Sequence, residues 1–165
     1  MKVSSHLTKS SGETGTDSAL VAVTDPLVCS EMPELMKPNC GKMWTKIKIK
    51  GKRDLLIGAY YRPPVCYESS LREFAESTRL ACHSKNATIV VGEDFNFPGW
   101  NWTDYTLKSG KSHSCLHHPL TDTVSDLGLD QIVDRGESTL DLILTNYPNM
   151  VPRLEIMRNS LTMLL

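Results

Sequence analysis

An acid and an amide two residues apart, Asp94 and Asn96, follow directly on an apolar run, Thr88-Ile89-Val90-Val91, in the string ATIVVGEDFNFPGWNW. In extended chain, residues i and i+2 share a face, so the pair would be presented to one side and Phe95 to the core. Ligands of open α/β sheets bind in the crevice outside the carboxyl ends of strands. An Asp and an Asn placed there can hold a metal ion, a water or a phosphate oxygen. The same residue types also form turns by bonding to nearby backbone, and the Phe97-Pro98-Gly99 break that follows fits that reading too.

Asp141 is the second chemical residue, set inside Ser138-Thr-Leu-Asp-Leu-Ile-Leu-Thr-Asn146. Alternation puts Leu140, Leu142 and Leu144 on one face and Asp141, Ile143 and Thr145 on the other. A carboxylate in such a strand is costly unless something donates to it. Fixing the tautomer of a catalytic histidine is one use; a strand-edge bond to local backbone is the other. Tyr60 or Tyr61, beside Arg62, joins a phenol to a guanidinium, a pair suited to phosphate and equally to a half-buried sheet surface. His117 and His118 fall on different helix faces and are poor joint ligands; with His113 they are expected at the surface.

The elements that position these residues follow from periodicity. Trp44 to Lys50 alternates, with Thr45, Ile47 and Ile49 inward and Lys46, Lys48 and Lys50 in water. Gly51-Lys52 supplies a turn and Leu55 to Tyr61 returns as a more buried strand, making a hairpin. Ser70-Leu-Arg-Glu73 has the form of a capping box, opening a helix expected from Leu71 to about His83. The Thr88 strand follows, so strand, helix and strand succeed one another as an α/β layer demands. Leu116, Leu120, Val124 and Leu127 make a second helical stripe, stopped at Gly128, and Pro119 is expected near its first turn. Short strands are expected at 19–23, 27–29 and 129–133, and a last one from Thr139 to Thr145.

With 165 residues, 40% of them hydrophobic, the chain suffices for one domain with a real core. A net charge of -1 excludes a strong overall field toward nucleic acid or membrane, while leaving room for a local basic strip. No window approaches the roughly 18 apolar residues of a membrane span, so no membrane partner is expected. The first residues lack the apolar middle of a secretory signal. Five cysteines, widely spaced and without a C-x-x-C pair, argue against a disulfide framework and a zinc site. Free thiols without disulfide partners, in an intracellular, nuclear or cytoplasmic setting, are expected. Residues 1–18 are polar and rich in Ser, Thr and Gly, and are expected to be disordered.

Three strings occur in order: LLIGAYYRPP (Leu55 to Pro64), VVGEDFNFPGW (Val90 to Trp100) and STLDLILTN (Ser138 to Asn146). Together they resemble the endonuclease/exonuclease/phosphatase superfamily, and more narrowly the apurinic-type endonuclease domain of non-LTR (LINE-type) retrotransposon polyproteins. The resemblance covers roughly residues 20–156. It implies an α/β (α+β) fold, here a partial four-layer β-sandwich flanked by helices. It divides the chain into a polar start (1–18), an incomplete endonuclease-like domain (19–156) and a divergent tail (157–165).

The resemblance also implies a hydrolase that cleaves a DNA phosphodiester with Mg2+ and leaves a 3' hydroxyl to prime reverse transcription. By position, Asp94 would orient or deprotonate the attacking water and Asn96 would hold the scissile phosphate and support Asp94. Tyr60, with Tyr61 as the other register, would touch the phosphate beside Arg62, and Asp141 would brace a catalytic histidine. The chain departs from that pattern. The strands bearing the family's Asn and its metal-binding Glu are not matched, so no metal ligand is assigned. No histidine follows His118, and Glu93 stands where glycine is usual. The expectation is therefore a domain of endonuclease descent, truncated at both ends, with little or no activity. The alternatives are a non-catalytic module that grips nucleic acid or protein, with salt-dependent binding through Lys46, Lys48 and Lys50, or a product that folds poorly.

Overall fold

The computed structural model describes residues 5–9, 20–24, 27–37, 42–62, 68–95, 99–102, 104, 106–108, 114–133, 141–150, 153–157 and 160–164. In chain order, β1 (Ser5–Lys9) and β2 (Leu20–Thr24) form an antiparallel pair. β3 (Val28–Glu31) lies antiparallel to β4 (Lys42–Lys48), and β4 to β5 (Asp54–Tyr60). The β4–β5 turn places Gly51 at φ +74, the left-handed region where a Cβ is disfavoured. Helix α1 (Glu68–Cys82) then carries the chain over to β6 (Ala87–Asp94), which runs parallel to β5 as a helical crossover requires.

β7 (Trp100–Asn101) and β8 (Thr106–Leu107) form a small pair of their own. Helix α2 (Ser114–Asp126) ends near Gly128, φ +59, and leads into β9 (Asp130–Gln131). β10 (Asp141–Thr145) inserts antiparallel between β6 and β9. The main sheet is thus six-stranded and mixed, in the order β3-β4-β5-β6-β10-β9. β11 (Arg153–Met157) and β12 (Ser160–Leu164) form a separate antiparallel pair.

Both faces of the central strands are covered, which is why β5, β6 and β10 read as near-continuous apolar runs. On one face Trp44, Leu56, Tyr60, Ile89, Val91, Leu142 and Leu144 pack with Leu71 and Phe74 of α1 and Leu120 and Val124 of α2. On the other, Met43, Ile47, Leu55, Ala59, Val90 and Ile143 form a second cluster with Val133. β2 touches β4 and β5 but is hydrogen-bonded to neither, so it crosses a face of the sheet rather than extending an edge.

The mixed α/β class expected from the sequence is the one observed, with two local differences. The first helix opens at Glu68, one turn early, with Arg72 paired to Glu68 at 2.8 Å. Ser70 therefore lies inside the helix, where its hydroxyl meets that of Tyr60 at 3.1 Å instead of capping. Pro119 sits in the interior of α2, not its first turn, and its carbonyl accepts a bond from Thr123 Oγ1 at 2.7 Å. β1 falls within the polar start and β12 within the divergent tail.

Candidate active-site rim

Because β5 and β6 are parallel, their carboxyl ends meet at one rim, and antiparallel β10 begins there. The ladder between β6 and β10 pairs Asp141 directly with Asp94. Residues opposed in this way have Cα atoms about 4.5–5.5 Å apart. Two acidic residues 47 positions apart in sequence thus become immediate neighbours at the edge of the sheet. Like charges opposed across a ladder destabilise it unless a cation or proton-bearing group stands between them.

The register also separates Glu93 from this pair. Glu93 is partnered with Leu142, one step out of phase with Asp94, and so belongs to the row of Ile89 and Val91. Asp94 and Asp141 belong to the rows of Val90 and Ile143 on the other face. Asn96 lies outside the described residues. Phe95, which the alternation assigns to the core, is fully buried, its ring 5.1 Å from both Tyr60 and Phe74.

Tyr60 and Tyr61 divide on the same principle. Tyr60 is 0% exposed on the helix-covered face, its ring 4.8 Å from Phe74 and its hydroxyl on Ser70. Tyr61 is half-buried and lies two residues beyond Ala59, whose partner Gly92 lies two residues before Asp94. The sequence left these two tyrosines as alternative registers; Tyr60 is buried and Tyr61 half-buried.

Arg62 is only 4% exposed. Its Nη1 donates to the carbonyl of Phe95 at 3.3 Å, tying the end of β5 to the residue between Asp94 and Asn96. This contact braces backbone behind the rim. Asn146, the last residue of the STLDLILTN string, does similar work at the other end of β10. Its Oδ1 accepts from the amide of Ile89 at 2.8 Å and its Nδ2 faces the carbonyl of Ala87 at 3.5 Å. The position of Asn146 at the end of an apolar run was the available sequence signal for this clip.

Among the described residues no group of three His, Cys, Asp or Glu could hold a metal. His113 and the side chains of His117 and His118 lie outside them. Cys29 and Cys82 are half-buried, and neither is in a disulfide. No helix among the described residues is long and apolar enough to cross a membrane.

No family model matches the chain, and no curated protein matches it. Among solved structures it is similar to the endonuclease domain of TRAS1, a telomere-specific non-LTR retrotransposon, with a TM-score of 0.64. The sequences are 18% identical, and the match covers 92% of this chain and 71% of that one. The six-stranded mixed sheet with its paired helices is therefore the fold of a retrotransposon endonuclease domain.

Proposed function

We propose that this chain is an endonuclease-like domain of retrotransposon descent whose aspartate rim engages a DNA phosphodiester. The observation that carries the reading is the register of Asp141 on Asp94 at the carboxyl ends of β5 and β6. Asp94 would orient or deprotonate the attacking water, and Asn96 would hold the scissile phosphate. Tyr61 takes the phosphate contact in place of Tyr60, and Arg62 holds the turn that carries Asp94. Asp141 is the carboxylate that would brace an imidazole.

Asp94 and Asp141 would be the oxygen donors to hold Mg2+ there. Bound there, the ion would supply neutralisation of charge on the phosphoryl oxygens. These 165 residues contain no histidine after His118, and positioned acid–base catalysis is worth about 10²–10⁴ in rate. The chain by itself is accordingly proposed to bind DNA and to cleave it weakly or not at all.

The test is duplex-DNA binding and supercoiled-plasmid nicking, each with and without Mg2+. Magnesium is expected to strengthen duplex binding, and Asp94→Asn combined with Asp141→Asn to abolish that response. An equal response in the double variant would defeat the assignment of the rim. Robust nicking lost in Asp94→Ala would defeat the claim of weak cleavage.

A further inference from the structure

At the end of the sheet opposite the aspartates, the β4–β5 hairpin carries five cations and no acid between Lys46 and Arg53, although the whole chain is charged -1. Lys48, Lys50, Lys52 and Arg53 are exposed. Lys46 is set apart, paired with Asp54 at 2.7 Å. The amide of Asp54 donates to the carbonyl of Asn86 at 3.2 Å, which brings the loop bearing exposed Lys85 against the same hairpin.

A second observation lies in the midst of these charges. The Asn146 clip ends β10 level with the start of β6, and the next residue, Tyr147, is 47% exposed. The Arg53 guanidinium lies 6.0 Å from the centre of its ring. An exposed ring is an odd choice for a solvated sheet edge, but it is what unpaired bases stack on. Stacking platforms set among cations are the general means of holding single-stranded nucleic acid. A duplex would offer this rim its phosphates but no base faces.

We infer that Lys48, Lys50, Lys52, Arg53, Lys85 and Tyr147 form a binding site for single-stranded nucleic acid, separate from the aspartate rim. β6 spans the distance between the two ends, seven residue steps or about 23 Å. Lysines and the arginine take successive phosphates, and a base stacks on Tyr147. The site stands on charge and exposure alone and does not depend on cleavage chemistry.

The experiment is fluorescence-anisotropy binding of a labelled 15-nucleotide single-stranded DNA to the whole chain in EDTA, titrated with salt. Working in EDTA keeps the result independent of the magnesium response at the other end. Each phosphate contact contributes about 0.7 to the slope of log affinity against log salt. Lys50→Ala with Lys52→Ala is expected to reduce the slope by about 1.4. Tyr147→Ala is expected to weaken binding about fivefold or more, and Tyr147→Phe to keep it. These side chains are exposed, so folding is not at stake. An unchanged slope in the lysine double variant or full affinity in Tyr147→Ala would overturn the site.

Discussion

Trp44 is fully buried, and its indole N–H donates to Ser77 Oγ at 2.8 Å, while Ser77 donates in turn to the carbonyl of Leu35 at 2.6 Å. One hydroxyl thus joins β4, α1 and the turn before β4. A Cβ at Gly58 would stand 2.9 Å from Trp44 Cζ3, and the indole cannot retreat without losing its bond to Ser77. Ser77→Ala is expected to cost about 1–3 kcal/mol by orphaning buried polar groups, and Gly58→Ala about 1–3 kcal/mol by overpacking. Both act on the same ring, so their costs in urea unfolding should not add. The tyrosines give a functional contrast at this scale. Tyr60→Phe removes the Ser70 contact and should lower stability by about 1 kcal/mol with duplex affinity unchanged. Tyr61→Ala should weaken duplex binding and leave stability nearly intact. The reverse pattern, read by melting and anisotropy on both variants, would return the phosphate contact to Tyr60.

At the scale of elements, Asn146 shows what a side chain can do for a ladder. It closes the start of β6 to the end of β10, satisfying backbone groups of Ile89 and Ala87. Asn146→Ala is expected to cost about 1–2 kcal/mol and to speed hydrogen exchange at the Ile89 amide ahead of its neighbours. Unchanged protection at Ile89 would mean that the clip is not made in solution. The elements themselves were largely legible. The Thr45-Ile47-Ile49 alternation gave the hairpin, and the Leu120-Val124 stripe with Gly128 gave the second helix. What local pattern could not supply was pairing. That β10 would lie against β6 with Asp141 on Asp94 is set by two faces of tertiary packing, not by anything within either string. The same packing moved the start of α1. Ser70 and Glu73 have capping-box form, but the serine instead meets the buried hydroxyl of Tyr60 and the helix opens a turn sooner.

The whole molecule rests on one sheet with a core on each side, and the strands are common to both. Trp44, Trp100 and Trp102, the chain's three tryptophans, all belong to the helix-covered cluster, so indole fluorescence reports that face. Ile143 belongs to the other cluster, and its neighbours on β10, Leu142 and Leu144, belong to the first. A defect on one face reaches the other through the shared strands β4, β5, β6 and β10. Ile143→Ala should lose about 2–5 kcal/mol through the cavity it leaves. If the two cores form a single cooperative unit, tryptophan fluorescence and far-UV circular dichroism should shift together to lower urea, although the tryptophans belong to the other cluster. A fluorescence midpoint that stays in place while the dichroism moves would show two faces that unfold separately. In that event the Asp94–Asp141 pairing, which lies in the rows of the Ile143 face, could be lost while the helices remained folded.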